Sequence, residues 1–461
     1  MTPIESSLLL TDLYQLTMLE GYFRHGMNEV AVFDLFVRKL PPARSFLLAA
    51  GLEQLLDWLE HARVTSEELD ALRATRSFDP RFLDHLGALR FTGDVDAMPE
   101  GTVFFPDEPV VRVTAPLMEA QLVEPRLINL VHFQTVVASK AARSVLAAPG
   151  KLLVEFGLRR AHGAEAALLA ARASYVAGMA GTSNVLAGMR FGIPTFGTMA
   201  HSFVQAHDDE AEAFRHFARD RRERVVLLLD TYDTEAAAEK VVAIAPGLAA
   251  EGIRIDGVRL DSGDLAEHAR RVRRILDDGG LRHVTIFASG SLDEGIIHAL
   301  LAAGAPIDGF GIGTRLDTSA DAPSLDCAYK LTEYAGIPRR KRSEGKGSWP
   351  GRRQVFRRRD AEGTLREDVL TIESDPQVGE PLLRPVMRAG RRVGPSPSLA
   401  EIRARAAAEL AGLPPALRGL EPAPPFRVRI APALLALAAE VDARTAGARR
   451  PIARRDPPPA R

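Results

Sequence analysis

The stretch Val225-Val226-Leu227-Leu228-Leu229-Asp230, followed by the helical pattern Glu235 to Ala250 and then by Gly257-Val258-Arg259-Leu260-Asp261, decides the fold. Each apolar run is too short for a helix and is bounded by polar residues, whereas the segment between them spaces its apolar residues three and four apart. That is one βα unit leading into another strand. Outward from it the alternation recurs, with strand-like runs at Leu152 to Phe156, Thr195 to Thr198, Val284 to Ala288 and Asp308 to Ile312. Helical patterns lie between them at Ala164 to Ala177, Glu210 to Arg219, Leu265 to Asp278 and Leu292 to Ala303. Strands that alternate with helices pair in parallel, and about six consecutive units favour an irregular TIM-like (β/α) barrel over an open doubly wound sheet. The expected class is α/β.

On either side the pattern changes. Residues 1–118 hold a helix near Thr11 to Arg24, an alternating segment Glu29 to Arg38, and short Val-rich runs among Pro and Gly from Gly93 to Ala115, which together read as an α+β module. Glu119 to Ala142 reads as one long helix leading into the barrel domain, 119–330. After Tyr329-Lys330-Leu331 the chain alternates with turns again, so residues 331–442 are expected to return to the first module. The second domain is then discontinuous and built from both chain ends. Ser398 to Ala411 has a helical period, and residues 443–461, with Pro457-Pro458-Pro459, carry too little apolar content to be expected to fold.

A chain of 461 residues exceeds one ordinary core. Its net charge of −1 speaks against a globally basic nucleic-acid binder. The densest basic run, Arg339-Arg340-Lys341-Arg342 through Arg357-Arg358-Arg359, is broken by Gly345, Gly347, Pro350 and Gly351 and reads as a solvated hairpin. No stretch approaches the roughly 20 apolar residues that span a bilayer, and Met1 to Ser6 offers no basic region before Leu8 to Leu10, so a cytoplasmic protein without a membrane partner is expected. The single cysteine, Cys327, excludes an intramolecular disulfide and a thiolate-rich zinc site, and reads as packing.

Parallel βα folds gather ligands at the C-terminal ends of their strands. Three glycine-containing turns fall there: Gly181-Thr182-Ser183-Asn184, Ser289-Gly290-Ser291 and Gly311-Ile312-Gly313-Thr314. Glycine lets backbone N–H groups approach an anion, and a following helix N-terminus favours negative charge, so a phosphate is the natural guest. Read structurally, the same turns are N-caps, a role open to Ser291 and Thr182. Arg259 and Asp261 alternate about a strand end, and Ser262-Gly263-Asp264 opens the next helix toward the same mouth. An Arg there suits a planar carboxylate, and Asp261 suits a sugar hydroxyl or a magnesium-bound water; the plainer reading is an internal Arg–Asp pair. Arg159-Arg160 makes a similar site, and because adjacent side chains diverge only one is expected to reach a ligand. Asp230 and Asp233 read equally as magnesium-water ligands or N-caps. In Gly197-Thr198-Met199-Ala200-His201-Ser202 an imidazole sits beside hydroxyls. His201 there is a nucleophile, a general base, a metal ligand or a structural histidine, with the metal reading poorly supported because no compact cluster of ligands surrounds it.

Taken together these strings resemble the nicotinate phosphoribosyltransferase family. The resemblance runs through Thr11-Asp12-Leu13-Tyr14-Gln15-Leu16-Thr17-Met18, Phe33-Asp34-Leu35-Phe36-Val37-Arg38 and Glu155-Phe156-Gly157-Leu158-Arg159-Arg160-Ala161. It continues through Gly181-Thr182-Ser183-Asn184, Gly197 to Ser202, Arg259 to Asp264 and Gly311 to Thr314, up to about Ala443. It implies a homodimer with shared active sites that makes nicotinate mononucleotide and pyrophosphate from nicotinate and phosphoribosyl pyrophosphate, with Mg2+ as cofactor and ATP as co-substrate. It further implies that His201 is phosphorylated by ATP, that Tyr14 crosses the dimer to pack on the pyridine ring, that Thr198 and Arg259 lie near nicotinate, and that Arg159 is a substrate-binding residue. Thr314, Gly311 and Gly313 would hold the ribose phosphate. Ser202, Ser262, Gly263, Ser289, Gly290 and Asp261 complete the expected site, with no protein ligand binding the metal directly. Rival expectations are a nicotinamide enzyme, a quinolinate enzyme, and a barrel that binds phosphate ligands without turnover.

Overall fold

A computed structural model describes residues 6–447 of the chain. At its centre is a six-stranded parallel sheet with neighbours in the order Gly181–Thr182, Leu152–Glu155, Gly309–Ile312, Thr285–Ala288, Ile255–Leu260 and Val225–Leu228. That is the order of a ring opened on one side. Thr195 adds a single parallel bridge to Thr182 beyond one edge, so the run Thr195 to Thr198 does not form the strand expected of it. Pro194, which has no N–H, precedes the run and Gly197 lies within it, which leaves it little ladder to extend. The sheet is a parallel half-barrel rather than the closed ring the alternation favoured, and the segment holding Gly197 to His201 connects its two edges.

The strands are nearly continuous runs of buried apolar residues because both faces of the sheet are covered. Val225, Leu227, Leu228, Val258, Leu260, Ile286, Ala288, Phe310 and Ile312 are all buried. The covering helices bury one stripe each; along Leu265–Asp278 it is Leu265, Ala269, Val272 and Leu276. Their first turns are capped by side chains: Asn184, Asp233, Asp264 and Asp293 each accept a hydrogen bond from a backbone N–H two or three residues on. Asp233 is therefore an N-cap, and the caps expected at Thr182 and Ser291 fall to Asn184 and Asp293 instead. A carboxylate or amide placed one or two residues later reaches the first turn with better geometry.

A seven-stranded antiparallel sheet takes strands from both ends of the chain, in the order Ile337–Pro338, Cys327–Tyr334, Val30–Val37, Pro109–Pro116, Asp94–Ala97, Arg384–Arg388 and Arg391–Arg392. Residues 327–330, assigned to the barrel segment from sequence, form the first half of a strand paired with Val30–Val37. The helix expected over Glu119 to Ala142 is two helices, Leu117–Leu122 and Glu124–Ala147, because Pro125 can start a helix but not continue one. The last helix, Pro432–Gly447, runs five residues into the tail expected to be unfolded; the remainder of that tail lies outside the described residues.

The basic run is half buried rather than solvated. Arg353–Arg359 is a strand of a four-stranded sheet, and its two-residue period turns Arg353 and Arg357 inward. Arg353 pairs with Asp34 at 2.7 Å with both side chains 0% exposed, and Arg357 pairs with Asp368 at 2.6 Å, likewise 0% exposed. These ion pairs tie the C-terminal segment to the first strand and to its own hairpin.

Candidate active site

The strand ends on one side of the half-barrel surround a cleft of about 570 Å3. Loop 156–160 contributes Phe156, Leu158, Arg159 and Arg160; loop 197–201 contributes Gly197 to His201; loop 311–314 contributes Gly311, Gly313 and Thr314; Arg259 with Asp261, Ser289 to Ser291, Ser183 and Leu228 supply the rest. Of the residues singled out from sequence, these strand ends bring together His201, Arg259, Asp261, Arg159, Thr198, Ser289, Gly290, Gly311, Gly313 and Thr314. Both Arg159 and Arg160 line the cleft, whereas adjacency had favoured only one. The reason is local: Leu158–Arg160 is a single 3-10 turn, which swings neighbouring side chains by about 120° rather than setting them on opposite faces.

Arg259 is the hub of the cleft floor. Its Nε donates to Ser289 Oγ at 2.8 Å, its Nη2 to Asp261 Oδ1 at 2.9 Å and its Nη1 to Thr198 Oγ1 at 3.4 Å. The guanidinium also lies 5.4 Å from the centre of the Phe156 ring. The internal Arg–Asp pair and the cleft-lining Arg are thus one arrangement: the pair fixes the plane of a guanidinium that lines the cleft. Phe156 was not among the candidates, and Ser183 was named only as part of the Gly181-Thr182-Ser183-Asn184 turn, yet both line the cleft; Phe156 was legible only as the last residue of a strand-like run.

His201 begins the short helix His201–Gln205. Its Nδ1 lies 3.1 Å from Thr231 Oγ1, and its Nε2 lies 4.0 Å from Asp261 Oδ2. Asp230 accepts hydrogen bonds from the Asp261 backbone N–H at 3.1 Å and from the Ser262 hydroxyl, while its other oxygen is buried without a partner among the described residues. Ser262 reaches the site through Asp230. Ser202 and Gly263 do not line the cleft; Ser202 is exposed, and Gly263 packs its Cα against His268. Tyr14 is half exposed on the helix Leu13–Arg24, where Gln15 donates to its hydroxyl at 3.1 Å, and it does not line this cleft.

The glycines of the cleft are required by close approach rather than by flexibility alone. A Cβ on Gly290, whose φ is +93°, would collide with the Asp261 carbonyl oxygen, and one on Gly313 would stand 2.9 Å from the Phe156 carbonyl oxygen. Beneath loop 156–160 lies a second layer. Glu155, fully buried, accepts hydrogen bonds from the Gly157 N–H and the Thr182 hydroxyl, and its carboxyl faces that of Asp317. Burial pushes both carboxyls up, and for Asp317 the neighbouring Glu155 charge raises it further, well above the usual carboxylate range.

Family models match along most of the chain: the nicotinate phosphoribosyltransferase N-terminal domain over residues 9–132, the nicotinate phosphoribosyltransferase family over 152–336, and the corresponding C-terminal domain over 371–438. The chain is 51% identical over 416 residues to a nicotinate phosphoribosyltransferase of Mycobacterium tuberculosis, covering 90% of this chain and 89% of that one. It is 35% identical to the nicotinate phosphoribosyltransferase of Bos taurus, covering 95% and 97%. Among solved structures, human nicotinic acid phosphoribosyltransferase superposes with a TM-score of 0.84 at 32% identity, covering 94% of this chain and 99% of that one. A nicotinate-nucleotide pyrophosphorylase from Pyrococcus furiosus superposes at 0.72 and 26% identity, covering 88% and 95%. With three family models in sequence order and similarity of this extent, the chain belongs to the nicotinate phosphoribosyltransferase family.

Proposed function

We propose that this chain transfers the phosphoribosyl group of phosphoribosyl pyrophosphate to nicotinate, giving nicotinate mononucleotide and pyrophosphate, a salvage step toward NAD, with ATP hydrolysis coupled to the transfer through phosphorylation of His201. The observation that carries the reading is the Arg259 hub: a cation held by Asp261 and Ser289 over an aromatic face, in the same cleft as a glycine-lined anion cradle. That combination fits a flat aromatic carboxylate at one end and a phosphorylated sugar at the other.

Nicotinate lies against Phe156 with its carboxylate on Arg259 and on Thr198. A charge-assisted hydrogen bond of this kind contributes roughly 1.5 to 3 kcal/mol, which nicotinamide forgoes, so the acid is preferred. The sugar phosphate takes the cradle of Gly311, Gly313, Thr314 and Gly290, with Arg159 and Arg160 beside it. Displacement at the anomeric carbon passes through a cationic sugar, so these residues act by holding the pyridine nitrogen in line and by steadying the departing pyrophosphate. Asp261 and the partnerless oxygen of Asp230 are the hard oxygen donors that suit a hydrated magnesium ion. When bound, the ion offsets negative charge on pyrophosphate.

The Thr231 hydroxyl occupies one His201 nitrogen and leaves Nε2, near Asp261, as the nucleophile toward the γ-phosphate of ATP. The phosphoryl group would add negative charge beside the pyrophosphate site. Tyr14, which does not line the cleft of its own chain, is assigned to the cleft of a second copy, making the active form a homodimer with shared sites. The reading is tested by turnover assays with nicotinate and nicotinamide, with and without ATP; product from nicotinamide alone would overturn it.

A further inference from the structure

Glu155 and Asp317 sit directly behind the two loops that form the phosphate side of the cleft. Glu155 ends the strand Leu152–Glu155 and holds the turn that follows by accepting the Gly157 N–H. Asp317 closes the one-turn helix Thr314–Asp317 that follows Gly313. Its carboxyl lies so close to the Gly157 Cα that a Cβ there would overlap it, and it is 2% exposed. Among the described residues no N–H or hydroxyl donates to either of its oxygens. Two carboxyls in contact, both buried and without a cation between them, cannot both be ionised at moderate cost.

Resting on the phosphoribosyl-transfer reading, we propose that Asp317 is a positioning residue for the phosphate side of the cleft. It carries a proton that it donates to Glu155, and this carboxyl–carboxyl hydrogen bond clasps loop 156–160 to loop 311–314 while keeping a second negative charge away from the bound phosphate. Burial, with the Glu155 charge next in size, holds the Asp317 carboxyl well above its ordinary range, in keeping with a retained proton. Thr182 donates to the other Glu155 oxygen, so Glu155 is the partner that stays ionised. A second tie crosses the same two loops at the mouth, where Arg160 Nη1 approaches Thr314 Oγ1 at 3.4 Å.

The charged groups on the elements packed against Asp317 are engaged elsewhere. On the helix Glu124–Ala147, Lys140 pairs with Glu294 and Asp321, Arg143 with Glu294, and Arg126 with Glu165, while His132 accepts the Leu325 N–H. On the helix Ala164–Val176, Arg172 pairs with Glu100, and Glu165 is the partner of Arg126. On the Leu158–Arg160 turn, Arg159 and Arg160 are exposed at the cleft. Within the one-turn helix itself, Arg315 pairs with Asp293. Glu155 is thus the charge that Asp317 faces.

The test compares the parent with Asp317→Asn and Asp317→Ala by steady-state kinetics, with phosphoribosyl pyrophosphate varied from about pH 6 to about pH 10. Asn keeps an N–H donor toward Glu155 and cannot ionise. Its KM should stay within about twofold of the parent near neutral pH and lack the rise that the parent shows as the shared proton is lost. Asp317→Ala, which leaves Glu155 without that donor, should raise KM about tenfold across the range with a smaller effect on kcat. Asp317→Asn as impaired as Asp317→Ala, or a parent KM as flat on the alkaline side as that of Asp317→Asn, would overturn the proposal. If Asp317→Asn does not fold, the parent profile decides, because a flat one overturns it. A parent without turnover would count against the function proposed above, and calorimetric binding of inorganic phosphate to the same proteins then carries the comparison.

Discussion

The Nδ1 atom of His201 lies 3.1 Å from the Thr231 hydroxyl oxygen, beyond the next helix and strand in the chain, and this contact fixes which ring nitrogen faces Asp261. A histidine on a one-turn helix at the edge of an open sheet has little packing to orient it. The hydroxyl supplies that orientation.

Replacing Thr231 by Val, which has similar shape and no hydroxyl, should lower ATP stimulation of turnover about tenfold and leave turnover without ATP nearly unchanged. Phosphoprotein formed from γ-labelled ATP measures the effect; unaltered labelling would show that Thr231 does not set the ring.

Arg259→Ala should raise KM for nicotinate roughly 10- to 100-fold, as expected for a charge-assisted hydrogen bond of about 1.5 to 3 kcal/mol, and should also leave Asp261 without its guanidinium partner. The preference for nicotinate over nicotinamide narrows in the same variant. Competition assays with both bases read both effects.

The sequence made the strand ends legible and the ring that joins them less so. Short apolar runs and acidic caps mark where βα units begin and stop, so Arg259, Asp261, Gly290, Gly313 and His201 could be placed at one mouth from pattern alone. Closure depends on whether two edge strands pair. In the 195–198 run that depends on Pro194 and Gly197, residues that a hydrophobic pattern does not weigh. The inward Arg353 and Arg357 were missed because a basic run reads as solvated until its partners Asp34 and Asp368, distant or across a turn, are known. Phe156 carries no spacing signal of its own.

Arg353→Ala should destabilise the protein by about 3 to 5 kcal/mol, because Asp34 is left charged and buried without its partner. Arg353→Ala combined with Asp34→Ala should recover part of that loss in denaturant unfolding. Equal stability of the single variant and the parent would contradict the account of the basic segment.

Burial, with the Asp368 charge second, raises the Glu108 carboxyl well above its usual range. A group raised on folding contributes stability that is fully present below its unfolded value and is lost as pH rises toward its folded one. Glu108→Gln should therefore flatten the fall in thermal stability as pH rises above the ordinary carboxylate range and raise the melting temperature on the alkaline side. An unchanged pH dependence would mean that Glu108 is not protonated in the folded protein.

Cys327 is pushed up to about 12 by burial, with Asp326 adding to the effect. The thiol should resist alkylation near neutral pH in the folded protein and react at once in denaturant, since the thiolate is the reactive form.

The measurement that tests the central claim most directly is mononucleotide formation from phosphoribosyl pyrophosphate and magnesium with nicotinate or nicotinamide, with and without ATP, in the parent and in His201→Ala. The account predicts product from nicotinate, little from nicotinamide, and ATP stimulation that disappears in the variant. Product from nicotinamide in preference, or ATP stimulation that survives the loss of His201, would contradict it.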